Sequence, residues 1–350
     1  MQVQSKILFP EITINRIPPL NLKQGDEIYF QHEYEKKIPA VYLHELSNVN
    51  VSQEGIVFRK FDVFEKCLID KSRKIHYGYK YFLSNYLKRK KITLSKNEKY
   101  ILAFDEWSNG YFHWMCDVLP RLMSIKSILP ECILLLPEIY TESFILESLK
   151  MIGCNNIKMI PKNSYVKAPN LIVPEHIAPT GNYNPDVMEQ LQNALLWINA
   201  DHSQKNSGIN IYVSRKKALY KFILNEEEVF KTLEAYQFNI VFLEDYSLHE
   251  KIPIIKNSSV MIGMHGANFT NMLFMKKNSF ILEFRKKGDA NNNAFFSLAS
   301  GLGINYLYQF CDYTISNYTH PNKFDIRVDT DELKKNLDII CETKKIAIKL

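Results

Sequence analysis

From residue 99 onward, short apolar runs alternate with longer segments whose apolar residues recur at helical spacing. KYILAF (99–104) reads as a buried strand, 111–126 as a helix, CILLLP as a strand, and TESFILESLKMIG as a helix closed by Gly153. IKMIP and NLIVP read as two further strands. After the loop EHIAPTGNYNPD a second, more regular series begins with helix 185–201, strand INIYVSR, helix 226–236 and strand NIVFLE. It continues with helix 247–257, strand SVMIGMHG, helix 267–275, strand SFILEF, helix 292–301 and strand INYLYQF. Residues 331–346 read as an amphipathic helix. The first hundred residues are irregular, with short apolar runs, Pro18, Pro19 and Pro39, and the basic stretch YLKRKK at 86–91. Alternating strands and helices predict parallel sheets with covering helices. The expected organisation is therefore α/β, with a first domain over 1–180, a doubly wound second domain over 181–325 and a closing helix over 326–350. Two such domains in tandem would face a central cleft at the carboxyl ends of their strands.

Composition narrows the class. With 350 residues, 46% of them hydrophobic, the chain can bury two sizeable cores. The net charge of +6 suits polyanionic ligands or an anionic membrane surface without implying nucleic-acid binding. The six cysteines are scattered and include no C-x-x-C pair, which argues against a zinc site or a disulfide framework. The N-terminal stretch lacks a basic region followed by a long apolar run, which predicts no signal peptide. No run of about 18 apolar residues predicts a spanning helix. A cytoplasmic protein is expected, soluble or peripheral at the cytoplasmic face of the membrane.

Three stretches carry candidate chemistry. MIGMHGANFTNMLFM (261–275) sets His265, Gly266, Ala267, Asn268, Thr270 and Asn271 between a buried strand and a buried helix. The first amides of a helix lack intrahelical partners, and its dipole is positive there, so a diphosphate fits such a junction. A capped helix beside a satisfied histidine fits the same pattern. No G-x-G-x-x-G fingerprint or G-x-x-x-x-G-K-[ST] loop is present. In NGYFHWMCDVLPRL (109–122), His113, Asp117 and Arg121 recur at four-residue spacing and would share one helix face. That spacing offers a general base, His113 or Asp117, although a surface ion pair has the same spacing. In IYVSRKKALYKFILNEEEVF (211–230), Arg215 ends a strand and Lys221 follows. Such cations can neutralise a leaving diphosphate, or they form a solvated basic loop. Asn225 and Glu228 have capping-box spacing.

Together these stretches resemble glycosyltransferase family 61, over roughly residues 100–285. That family includes eukaryotic xylosyltransferases and N-acetylglucosaminyltransferases, and bacterial enzymes of capsule or surface-polysaccharide synthesis. The resemblance implies the GT-B architecture of two Rossmann-like domains and inverting transfer from a nucleotide-sugar, usually a UDP-sugar, without a cofactor or metal. No D-x-D motif occurs within these stretches, which is consistent with metal independence. Where the family often has Arg-Arg, this chain has Lys221-Phe222, and a lysine lacks the planar bidentate fork.

The expected mechanism is a single displacement. His113, oriented by Asp117, deprotonates an acceptor hydroxyl, because an imidazole titrating near 6.5 suits neutral pH better than a carboxylate near 4. Arg215, Lys221, His265 and the amides after Gly266 hold the departing diphosphate, and Glu283 takes the ribose hydroxyls. The expected partners are a nucleotide-sugar and a glycan acceptor, lipid-linked or free, with peripheral contact to an anionic membrane and no nucleic acid. A nucleotide-sugar epimerase or hydrolase on the same fold is one alternative. A non-enzymatic polyanion-binding protein using YLKRKK and FRKKG is the other.

Overall fold

The structure is a computed structural model that describes residues 1–197, 208–315 and 323–349, without the side chains of Trp197 and 346–349. Chain contacts divide it into two units, Met1–Thr13 with Lys37–Ile198, and Ile14–Lys36 with Asn199–Leu350. Residues 198–201 of the expected helix 185–201 lie outside the described residues. The helix Pro185–Trp197 packs on Leu119–Met123 and Ser143–Met151, so it belongs with the first series and does not open the second.

The first unit is built on a sheet of nine strands among the described residues. Its parallel part runs Ile157–Ile160, Ile133–Pro137, Tyr100–Ile101, Ser164–Pro174, with Lys90–Thr93 also parallel to the last of these. The leucine run of Ile133–Pro137 is buried almost throughout, as a parallel strand covered on both faces requires. The rest of the sheet is antiparallel: Val41–Ser52 pairs with Ser164–Pro174, Val3–Phe9 and Val57–Arg59. The strands expected from residue 99 onward are thus parallel, while the antiparallel part, drawn from residues read as irregular, departs from the Rossmann-like first domain that the resemblance implies. Val41–Ser52 lies in the region read as irregular, because its buried positions (Val41, Leu43, Leu46, Val49, Val51) break the period of two. The phase changes between Leu43 and Leu46 and again between Leu46 and Val49, the second time at Asn48, whose φ is 55°. The expected helix 111–126 is Tyr111–His113, a π turn at Trp114–Val118, then Leu119–Met123. Pro120 has no N–H to donate, and the wider turn just before it accommodates that gap.

Among the described residues the second unit is built on a sheet of six strands in the order Phe238–Val241, Ile209–Val213, Ser258–Met264, Phe280–Lys286, Asn305–Thr314, Asp325–Arg327. Every pairing is parallel except the last. Ile209–Val213 therefore has its next strand in sequence on one side and Ser258–Met264 on the other. The direction in which successive strands are added to the sheet reverses between these two parallel strands, and in open α/β sheets ligands bind at the carboxyl end of such a switch point. Ile262, Leu282, Phe284 and Leu307 pack with Val229 and Leu233 of helix Glu226–Glu234 and Leu333, Leu337 and Ile340 of helix Thr330–Lys349.

Part of the irregular N-terminal region completes this second unit. The Asn21 side-chain amide donates to Tyr308 O at 2.6 Å and its oxygen accepts from Tyr308 N at 3.2 Å, so one side chain continues the sheet ladder. Phe30 is fully buried, with ring centroids 5.4 Å from Phe296 and 4.8 Å from Tyr308.

Candidate functional site

In the first unit, the carboxyl end of the Tyr100–Ile101 strand leads to Asp105, and the 111–123 helix follows. His113 Nδ1 lies 2.7 Å from Asp117 Oδ2, which also accepts from Thr180 Oγ1 at 2.9 Å. Asp117 is buried while the His113 ring stays a quarter exposed. A carboxylate oxygen only accepts, so the Nδ1 proton is committed to Asp117 and Nε2 keeps its lone pair. The surface ion pair considered from the spacing is thus a buried carboxylate aiming a partly exposed imidazole.

Arg121 does not share that face. It is fully buried, donating from Nε to Pro174 O and from Nη1 to Ala103 O, both at 2.9 Å. Its Nη2 has no hydrogen-bond partner among the described residues. The π turn rotates Arg121 away from the His113 face toward the sheet. A second histidine–carboxylate pair lies nearby, with His176 Nε2 2.9 Å from Asp105 Oδ2. Burial pushes the Asp105 carboxyl up, but the bond to His176 and the charges of His176 and Arg121 outweigh it and hold the carboxyl below its ordinary value. His176, Asp117 and Asn182 line one small cavity. The sequence reading missed Asp105, His176 and Thr180. The one available signal was a carboxylate directly after the strand KYILAF.

In the second unit, the switch point brings Arg215 to Gly266. Arg215 donates from Nε to Lys221 O and from Nη2 to Tyr220 O, both at 2.9 Å. A Cβ at Gly266 would sit 3.3 Å from Arg215 Nη1, so glycine leaves room for the guanidinium; with φ at 164° the backbone itself is ordinary extended chain. Lys221 has a φ of 64°, and its Nζ lies 4.9 Å from the Phe324 ring centroid. Burial, then the charge of Arg215, lowers the Lys221 pKa; burial also lowers that of Arg215. Neither cation forms an ion pair among the described residues. Lys216 and Lys217 do, with Glu227 and Asp245, which sorts the basic run into two solvated lysines and two held cations.

Beneath them, Glu226 accepts from Tyr212 Oη at 2.7 Å, Ser214 Oγ at 2.9 Å and Arg215 N at 3.4 Å, pinning the strand end to the helix start. Asn225 holds the cap position but its amide is spent on the backbone of Val328, so the expected capping box does not form there.

His265 follows the Ser258–Met264 strand, and Ala267–Phe274 is a 3-10 helix, tighter than the α-helix expected. Ala267 is exposed, Gly266 and Asn268 are half-buried, and Thr270 and Asn271 are buried. Asn271 Nδ2 donates to Asn268 O at 2.8 Å and stiffens the turn. Glu283 is fully buried, one oxygen bonded to His265 Nδ1 and the other to Tyr306 Oη. It therefore faces His265 and Tyr306, not solvent. Burial would raise its carboxyl, but the charge and bond of His265, then Arg285, bring it below its ordinary value. Arg285 is itself buried, Lys286 lies over the Tyr313 ring, and Lys287 pairs with Asp312, so FRKKG is not an open basic patch. Among the described residues no three His, Cys, Asp or Glu side chains cluster as a metal site.

Comparison with known proteins yields one matched segment that holds His113, Asp117, His176, Thr180, Arg215, Lys221 and His265, with Asp105 and Glu283 outside it. The family model Glycosyltransferase 61 matches residues 111–282, just under half of the chain. Among curated proteins, the chain is similar to the EGF domain-specific O-linked N-acetylglucosamine transferase of Drosophila melanogaster, 34% identical over 98 residues, 27% of this chain and 18% of that protein. The Xenopus laevis protein of the same name is 30% identical over 111 residues, 30% of this chain and 21% of its own length. The matches span about a fifth of the length of these relatives. The likeness is thus to glycosyltransferases of family 61, over residues 111–282 of this chain.

Proposed function

We propose that the protein is an inverting, metal-independent glycosyltransferase that moves a sugar from a UDP-sugar to a glycan acceptor, on a GT-B-like arrangement of its two units. The observation that carries this reading is the pair Arg215 and Lys221. Both are cations without a carboxylate partner among the described residues, and Arg215 sits against Gly266 at the sheet's switch point. Fixed cations and free helix amides there suit a diphosphate and stabilise it as the glycosidic bond breaks. Fixed cations also make a divalent metal unnecessary for that charge.

His113 is the general base in this reading. Its Nε2 takes the acceptor proton while Asp117, held in turn by Thr180, keeps the ring in the correct tautomer. The acceptor oxygen then attacks the anomeric carbon and the UDP oxygen leaves with the bonding pair. Glu283 fixes the His265 ring from within the core, leaving ribose recognition to other groups. The acceptor in this reading is a surface polysaccharide, lipid-linked or free.

A thermal-shift titration with UDP, GDP and CMP tests the donor site. UDP at a hundred times its dissociation constant should add about 2.7 kcal/mol of stability. His265→Ala and Asn268→Ala should weaken that response. Unchanged UDP binding in both variants would place the nucleotide elsewhere.

A further inference from the structure

The first unit carries a surface that nothing in the transferase chemistry uses. Helix Tyr79–Lys88 turns Phe82 and Asn85 inward and directs Tyr79, Leu83 and Leu87 outward, at i, i+4 and i+8 on one face. A helix covering a core normally has a polar outer face. Here Leu87 is 75% exposed and Tyr79 62%. The Tyr79 ring packs on Phe61, 4.9 Å between centroids, and Phe61 is itself exposed, so the apolar surface extends onto the neighbouring hairpin.

The charges on the helix and on the strand that follows it have one sign. Between Asp70 and Glu98 the sequence has nine Lys and Arg and no Asp or Glu. Lys80 and Lys88 flank the leucines on the helix, and Lys90 and Lys91 follow on the next strand, all exposed and without an ion pair among the described residues. Arg89 is consumed by Glu54. Solvent-facing leucines set among unpaired lysines match the headgroup region of an anionic bilayer, where apolar side chains enter the acyl boundary and lysines meet lipid phosphates. A soluble polyanion would use the lysines but leave the leucines in water.

We propose that the outer face of helix Tyr79–Lys88, with Lys90 and Lys91, is a docking surface for an anionic lipid bilayer. The inference is independent of the donor site and lies outside the family-matched residues 111–282.

Flotation with vesicles tests it directly. The whole protein should float with phosphatidylcholine vesicles containing about 30 mol% phosphatidylglycerol and far less with pure phosphatidylcholine, and binding should fall when salt is raised to about 0.5 M. Replacing Lys88, Lys90 and Lys91 by Gln should lower partitioning by on the order of a hundredfold. Leu83→Ser with Leu87→Ser should lower it by roughly tenfold while circular dichroism and the UDP thermal shift stay as in the parent. Equal binding to both vesicle types, or leucine variants that float like the parent, would overturn the proposal. So would preferential retention on soluble heparin that the leucine variants leave unchanged, since that marks a polyanion site.

Discussion

Two histidine–carboxylate pairs serve different ends, and burial separates them. In His113–Asp117 the imidazole keeps a quarter of its surface open, so a substrate proton can reach Nε2. In His265–Glu283 both side chains are buried and the carboxylate is also held by Tyr306, so the pair fixes a ring in place. His113→Ala should therefore reduce kcat by about 10²–10⁴ and leave UDP affinity nearly intact in calorimetry. If Asp117→Asn is inactive while His113→Ala retains most of its rate, the carboxylate is the base. Glu283 makes a pH prediction. Its folded pKa is lowered, so below the ordinary carboxylate value the unfolded state binds the extra proton. The stabilisation is fully present above about pH 4.5 and disappears as pH falls through the folded value. Melting curves between pH 3 and 7 should show Glu283→Gln destabilised at neutral pH by about 3 kcal/mol and less sensitive to acid than the parent. Parallel curves would show that Glu283 contributes nothing to the acid limb.

At the scale of elements, strand ends do the positioning. Ile209–Val213 delivers Ser214 and Arg215, and Ser258–Met264 delivers His265 and Gly266. The Arg215 guanidinium donates to two carbonyls and, among the described residues, pairs with no carboxylate, so in the proposed reaction its charge is available as negative charge grows on the leaving group. Arg215→Ala should lower kcat by roughly 10²–10³ with a smaller effect on donor affinity. An unchanged kcat would reduce Arg215 to a loop cation. These parallel strands were legible in the sequence because each is a short, mostly apolar run bounded by polar residues. Val41–Ser52 was not, since its buried positions shift phase and its partner strand, Ser164–Pro174, lies over a hundred residues away in sequence. Thr180 and His176 were hidden for a related reason. Their bonds to Asp117 and Asp105 span 63 and 71 residues, and no local spacing encodes such pairs.

For the whole molecule, the proposed reaction rests leaving-group charge on side chains, so transfer should proceed at similar rates in EDTA and in magnesium or manganese. Strict dependence on an added divalent ion would remove Arg215 and Lys221 from that role. The path of the chain has a further consequence. Residues 14–36 belong to the second unit although residues 37–198 intervene, and the Asn21–Tyr308 contact closes a span of 287 residues. No single cut yields two complete halves. A fragment beginning at residue 199 would lack the ring of Phe30 beside Phe296 and Tyr308, and the amide that extends the Asn305–Thr314 strand. During synthesis, residues 14–36 emerge long before their partners exist, so their docking is a late, long-range event of the kind that slows folding. Supplied in trans, a peptide of residues 14–36 should complement the 199–350 fragment and raise its melting temperature. A fragment that melts at the same temperature with and without the peptide would show that the second core closes without its borrowed segment.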